Sequence, residues 1–197
     1  MCCPNCDTRN KIRNFVEGEY SLELIQSLIT LKKLNLLVTG GETTFNKNLD
    51  YTKILLNQTT CEYKYVETNG YDLLTLYEYC KHNNNIKYIY SPKIFDNKDL
   101  RSEKSRTEVF LKTMRTGDLI IKLVYNKFSI SYIEELYRFT GQIGIYTVDI
   151  PSCPAIYIMP EGKTKEEVLL SAKEAFKFAN DYGLNITTRL HLIHDFC

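Results

Sequence analysis

Cys2, Cys3 and Cys6 fall within the first six residues of the chain, and Asp7 and Thr8 follow directly. Cys3 and Cys6 have the C-x-x-C spacing that brings two thiolates to one metal centre. A zinc site would complete that pair with His191 and His194. However, an H-x-x-H pair inside an extended strand sends its rings to opposite faces, and structural zinc usually draws its second pair from a local turn. An iron–sulfur cluster on three thiolates would leave one iron open to a ligand. The plain alternative is inert thiols, with the histidines at surface or core positions. Spacing alone leaves all three open.

Four more stretches combine a reactive side chain with a backbone-shaping residue: TGGET (39–43), ETNG (67–70), SPK (91–93) and MPEG (159–162). Gly40 and Gly41 let a backbone approach a ligand closely, and Pro92 fixes a turn. Glu42, Glu67 and Glu161 bring carboxylates and Lys93 an amine. As isolated features each also reads as an ordinary turn or surface charge.

The elements that must carry these stretches follow from periodicity. Tyr20, Leu24, Ile25, Leu28 and Ile29 recur at helical spacing. The run 34–38 reads as a buried strand that breaks at the glycine pair, and 48–56 reads as a helix. YKYVETNG repeats the strand-then-loop pattern, and Asp72 is placed to cap a helix through Leu74, Tyr77 and Cys80. IKYIYSPK (86–93) is a strand, 102–114 a polar helix, 118–126 a strand and 131–139 a helix. IGIYTVDI (143–150) and AIYIMPEG (155–162) are strand-like around a bend at Pro151 and Pro154. Thr164 and Glu167 form a T-x-x-E capping box for a helix to about Tyr182, ended at Gly183. NITTRLHLI (185–193) is the last strand. Alternating strands and helices imply an α/β protein with a mainly parallel sheet. In such folds the loops after the strands' C-terminal ends collect function, and all four stretches lie there.

Composition narrows the function classes. A chain of 197 residues suits one domain, and 44% hydrophobic residues suffice for a core. A net charge of +1 excludes a general polyanion binder. With no apolar run long enough for a bilayer and no basic-then-apolar leader, a soluble cytoplasmic protein is expected, with no direct nucleic-acid or membrane partner. Seven cysteines, an odd number, argue against a disulfide framework. Cys61, Cys80 and Cys153 read as buried thiols.

CPNCDT followed by TGGET, ETNG, SPK, MPEG and RLH, in this order and across nearly the whole chain, resembles the 7-carboxy-7-deazaguanine synthase family of the radical S-adenosylmethionine superfamily. The resemblance implies an incomplete, modified (β/α) barrel, a [4Fe-4S] cluster, S-adenosylmethionine and Mg2+. It implies an electron-driven cleavage to a 5′-deoxyadenosyl radical, which abstracts hydrogen from 6-carboxy-5,6,7,8-tetrahydropterin. Ring contraction and ammonia loss then give 7-carboxy-7-deazaguanine. A reductant such as a flavodoxin and a homodimeric state come with it. The superfamily motif is C-x-x-x-C-x-x-C. Cys3 and Cys6 match its last two positions and the first lies two residues upstream of Met1. Residues 1–197 thus read as a single radical S-adenosylmethionine domain lacking its first strand and first cluster cysteine.

Carried over by this resemblance, Cys3 and Cys6 are cluster ligands and Thr8 is the magnesium ligand. Asn5, Cys6 and Asp7 approach the cofactor through backbone. Thr39 touches the pterin, Gly40 and Gly41 admit the cofactor, and Glu42 accepts from its ammonium. Thr43 stands where the family often has proline. Glu67 meets pterin or ribose. Ser91, Pro92 and Lys93 contact the cofactor, Met159, Pro160 and Glu161 bring backbone to the adenine, and Arg189 and His191 face the substrate. The competing readings are another small radical enzyme, such as a glycyl-radical activase, and a non-catalytic truncated scaffold.

Overall fold

The computed structural model describes residues 21–83, 85–92, 118–127, 129–139 and 155–188. It is α/β. The chain divides into two compact units, Met1–Ile89 and Tyr90–Cys197. The described strands are six, all parallel, and neighbours follow chain order within each unit.

The first unit opens with α1 (Leu22–Lys32), whose N-cap Ser21 accepts from the Leu24 N–H at 3.2 Å. The other elements are β1 (Leu36–Val38), α2 (Lys47–Gln58), β2 (Lys64–Thr68), α3 (Leu73–Cys80) and β3 (Ile86–Tyr90). β1 and β2 pair in parallel with Leu36 opposite Lys64 and Val38 opposite Val66. Strand periodicity sorts β2 cleanly: Lys64, Val66 and Thr68 are buried, and Tyr65 and Glu67 are half-buried on the other face. The helices bury Leu49, Thr52 and Leu56 from α2 and Leu73, Leu76 and Cys80 from α3, each set at helical spacing. Lys64 is an unusual core member. Its ammonium donates to the Leu56 carbonyl at 2.6 Å, meeting one of the acceptors a helix leaves open in its last turn.

The second unit contains β4 (Leu119–Tyr125), α4 (Ile130–Phe139), β5 (Ala155–Pro160), α5 (Lys165–Asp181) and β6 (Asn185–Ile186). β5 lies between β4 and β6, with Ile120 opposite Ala155 and Tyr157 opposite Asn185. Ile121, Leu123, Ile133, Ile158 and Val168 are fully buried.

Four local expectations are revised. β1 is short and partly exposed, with Leu37 51% accessible, and it stands at the end of the order of the described strands. Asp72 adopts φ 47° and makes no cap bond to the backbone; its Oδ1 accepts from the Thr75 hydroxyl at 2.6 Å. At α5, Thr164 caps the Glu167 N–H at 3.3 Å as expected. The Glu167 carboxylate, however, reaches past the cap residue to the Lys163 N–H at 2.6 Å. Cys61 is half-buried, its thiol donating to the Tyr63 carbonyl at 3.2 Å. The helix expected at 102–114 and the strand at 143–150 lie outside the described residues, as does Cys153. Of the strand expected over 185–193, β6 covers Asn185–Ile186, and 189–193 lie outside the described residues.

Two outcomes test this packing. A Cβ built on Gly162 would lie 2.5 Å from the Val168 backbone nitrogen and 2.8 Å from Val168 Cγ2. Gly162→Ala should therefore cost about 1–3 kcal/mol in urea unfolding through overpacking against the first turn of α5. Burial pushes the Cys80 thiol from 9.0 up to about 11, with Lys64 and Lys53 drawing it weakly the other way. The unfolded chain thus releases this proton before the folded one does. The stabilisation it gives is complete below pH 9 and is lost as pH rises through 11. Cys80→Ala should flatten that part of the stability–pH curve, as read from urea midpoints between pH 8 and about 11.

Candidate functional site

The loops after β1 and β2 meet at the C-terminal ends of these two strands. The first begins with Thr39 and turns through Gly40 and Gly41, at φ 92° and 59°, backbone angles that favour glycine. Among the described residues nothing lies within 4 Å of where a Cβ on Gly40 would stand, so its backbone is sterically open to them. Glu42 follows. Its Oε1 accepts from the Thr44 N–H at 3.2 Å, from the Thr44 hydroxyl at 2.7 Å and from the Thr68 hydroxyl. Its Oε2 accepts from the Asn69 N–H at 2.8 Å. Among the described residues no cationic side chain pairs with this half-buried carboxylate. Hydrogen bonds alone hold its charge.

A second set of contacts fixes the frame. The Thr43 hydroxyl donates to the Glu67 carbonyl at 3.0 Å, and the Thr43 carbonyl accepts from the buried Thr52 hydroxyl at 2.8 Å. Asn48 donates to the Glu42 carbonyl at 2.9 Å. The Gly70 N–H donates to the Thr68 hydroxyl oxygen at 3.0 Å, which leaves the Thr68 proton for Glu42. The Thr44 hydroxyl also lies against the Tyr71 carbonyl, so its single proton is shared between two acceptors. Where the resembled family often has proline, Thr43 thus ties the first loop to β2 and α2 through hydrogen bonds. At the exposed rim, the Thr39 hydroxyl donates to Glu67 Oε2 at 3.3 Å.

The structure therefore brings together Thr39, Gly40, Gly41, Glu42 and Glu67. In the second unit, Met159 and Pro160 lie within β5 rather than in a loop, and both are buried. Pro160 ends the register opposite Tyr125, where its missing N–H costs no interior ladder bond. The Glu161 carbonyl accepts from the Ser171 hydroxyl, joining the turn to α5. Ser91 and Pro92, just past β3, are also buried. Cys3, Asn5, Cys6, Asp7, Thr8, Lys93, Arg189 and His191 lie outside the described residues.

Sequence reading passed over Thr44, Thr68 and Asn69, which hold Glu42. Their signal was the recurrence of short hydroxyl and amide residues, TT after Glu42 and TN after Glu67, at the ends of two strands that pair.

Among the described residues no group of three or more His, Cys, Asp or Glu is placed to hold a metal ion, and no helix is long and apolar enough to cross a membrane. Compared with family models, curated proteins and solved structures, the chain matches none.

The network makes a graded prediction. Thr68→Val removes a donor from Glu42 and strands a half-buried oxygen, so it should cost roughly 1–3 kcal/mol in chemical unfolding. Thr68→Ser should recover most of that loss. Thr39→Ala, at the solvent-exposed rim, should change stability by less than about 0.5 kcal/mol.

Proposed function

We propose that this protein is a radical S-adenosylmethionine enzyme that converts 6-carboxy-5,6,7,8-tetrahydropterin to 7-carboxy-7-deazaguanine. One observation carries the reading. Glu42 closes a Gly-Gly turn at the C-terminal end of a parallel strand, with Thr39 and Glu67 on the rim beside it. Three of the four hydrogen bonds that Glu42 accepts go to Oε1, so Oε2 keeps an acceptor position beyond the Asn69 N–H. A carboxylate fixed in this way suits an amino-acid ammonium, because its orientation is set before the ligand arrives. The sterically open backbone at Gly40 suits the close approach of the same ligand.

In this reading Thr39 and Glu67 orient the pterin, whose ring nitrogens and amino group offer donors to a carboxylate. Cys3 and Cys6 would hold a [4Fe-4S] cluster, and Thr8 would give Mg2+ one hard oxygen ligand. When bound, the cluster and S-adenosylmethionine supply the one-electron chemistry that abstracts hydrogen from the pterin. The protein's part is to bind, orient and exclude water. A flavodoxin-like reductant is the proposed electron donor. Association into a homodimer is supported by Leu24, Leu28 and Leu31 of α1, which are 45–75% exposed at a helical repeat.

A second reading, a non-catalytic scaffold, is favoured by the same carboxylate, since four internal hydrogen bonds already give Glu42 a structural task. Calorimetric titration of S-adenosylmethionine into the anaerobically reconstituted protein separates the two. The enzyme reading expects saturable binding that Glu42→Ala weakens about ten- to a hundredfold, the value of one charge-assisted hydrogen bond. No heat of binding to the unsubstituted protein would leave the scaffold.

A further inference from the structure

Four donor groups converge on the Glu42 carboxylate: the Thr44 and Asn69 N–H groups and the Thr44 and Thr68 hydroxyls. Contacts other than those to Glu42 also hold them. Thr43 is bonded to the Glu67 carbonyl and to Thr52, the Thr68 hydroxyl takes the Gly70 N–H, and the Asn69 side chain accepts from the Tyr71 N–H at 3.0 Å. Thr44 and Thr68 are buried, at 0% and 2% exposure, so these donors have little water to satisfy them. Backbone N–H groups and hydroxyls gathered around one point, with no cation among the described residues, make a neutral cradle selective for a small anion with two oxygens.

We propose that the loops after β1 and β2 form a carboxylate-binding site whose resident occupant is the Glu42 side chain. Once that side chain is shortened, the site takes a free monocarboxylate of the size of formate or acetate. None of the donors needs a cofactor to hold it in place. The ligand class follows from geometry: Oε1 collects three donors and Oε2 one, so a planar pair of oxygens fits and a spherical halide cannot span both positions. Without an occupant the Thr44 hydroxyl can turn to the Tyr71 carbonyl and the Thr68 hydroxyl to Thr44 Oγ1, but the Thr44 and Asn69 N–H groups lose the acceptor they share, which gives a small carboxylate a reason to enter.

The experiment is thermal unfolding of the full chain in sodium formate and in sodium chloride at matched ionic strength. Glu42→Ala should be destabilised in chloride and gain several degrees in formate, with a saturable dependence on concentration. The unsubstituted protein, whose cradle is full, and Glu42→Gln, which fills the same space, should respond alike to both salts. Adding Thr68→Val to Glu42→Ala should raise the formate concentration at half-effect about tenfold, through loss of one donor. Should Glu42→Ala fail to fold in chloride, its refolding yield is compared in the two salts, and recovery in formate alone supports the site. Equal responses of Glu42→Ala to formate and chloride, or equal yields, would overturn it, as would a formate shift as large in the unsubstituted protein.

Discussion

The carboxylate of Glu42 is the point through which the two loops at the ends of β1 and β2 are joined. β1 is three residues long, so its own pairing with β2 gives few hydrogen bonds. The loop beyond it contains two glycines at positive φ, which carry a large entropic cost of ordering. Glu42 answers both problems. It draws in donors from its own loop through Thr44 and from the next through Thr68 and Asn69. Thr43 and Thr52 reinforce the join from the α2 side.

This arrangement assigns different tasks to chemically similar residues. Thr39 and Glu67 meet at the exposed rim, where their contact is long and adds little to stability. Thr43, Thr44, Thr52 and Thr68 are almost wholly buried and each has a named partner. The rim contact therefore contributes little to the fold, whereas the buried hydroxyls are committed to holding the loops.

Much of this was readable from residue order. Alternating apolar runs located β2, β3, β4 and β5 to within a few residues, and the helical spacing of Leu74, Tyr77 and Cys80 located α3, although the face it buries is Leu73, Leu76 and Cys80. Thr164 announced the start of α5 correctly because a cap is a local interaction, set by atoms three residues apart. What escaped were consequences of tertiary placement. The sequence 34–38 is as apolar as a central strand, yet β1 stands at the end of the order of the described strands with Leu37 exposed. Asp72 looks like a cap, but its positive φ turns the side chain toward Thr75 instead. Glu42 was singled out from the Gly-Gly-Glu motif, yet its partners Thr68 and Asn69 lie more than twenty residues away. No local rule pairs them until β1 and β2 are aligned.

The strand order has a consequence for how the chain reaches its folded state. Leu36 pairs with Lys64, Ile120 with Ala155 and Tyr157 with Asn185, so each of these pairings joins strands that are consecutive among the described ones. None of these strands waits for a distant segment to be synthesised before it finds its neighbour. Loop-closure entropy stays near the minimum that a parallel connection allows, and contact order stays low for a sheet-containing protein. Each unit can thus grow strand by strand in the direction of translation. In the first unit every group that bonds to the Glu42 carboxylate lies within residues 44–69, so the join needs no residue of the second unit.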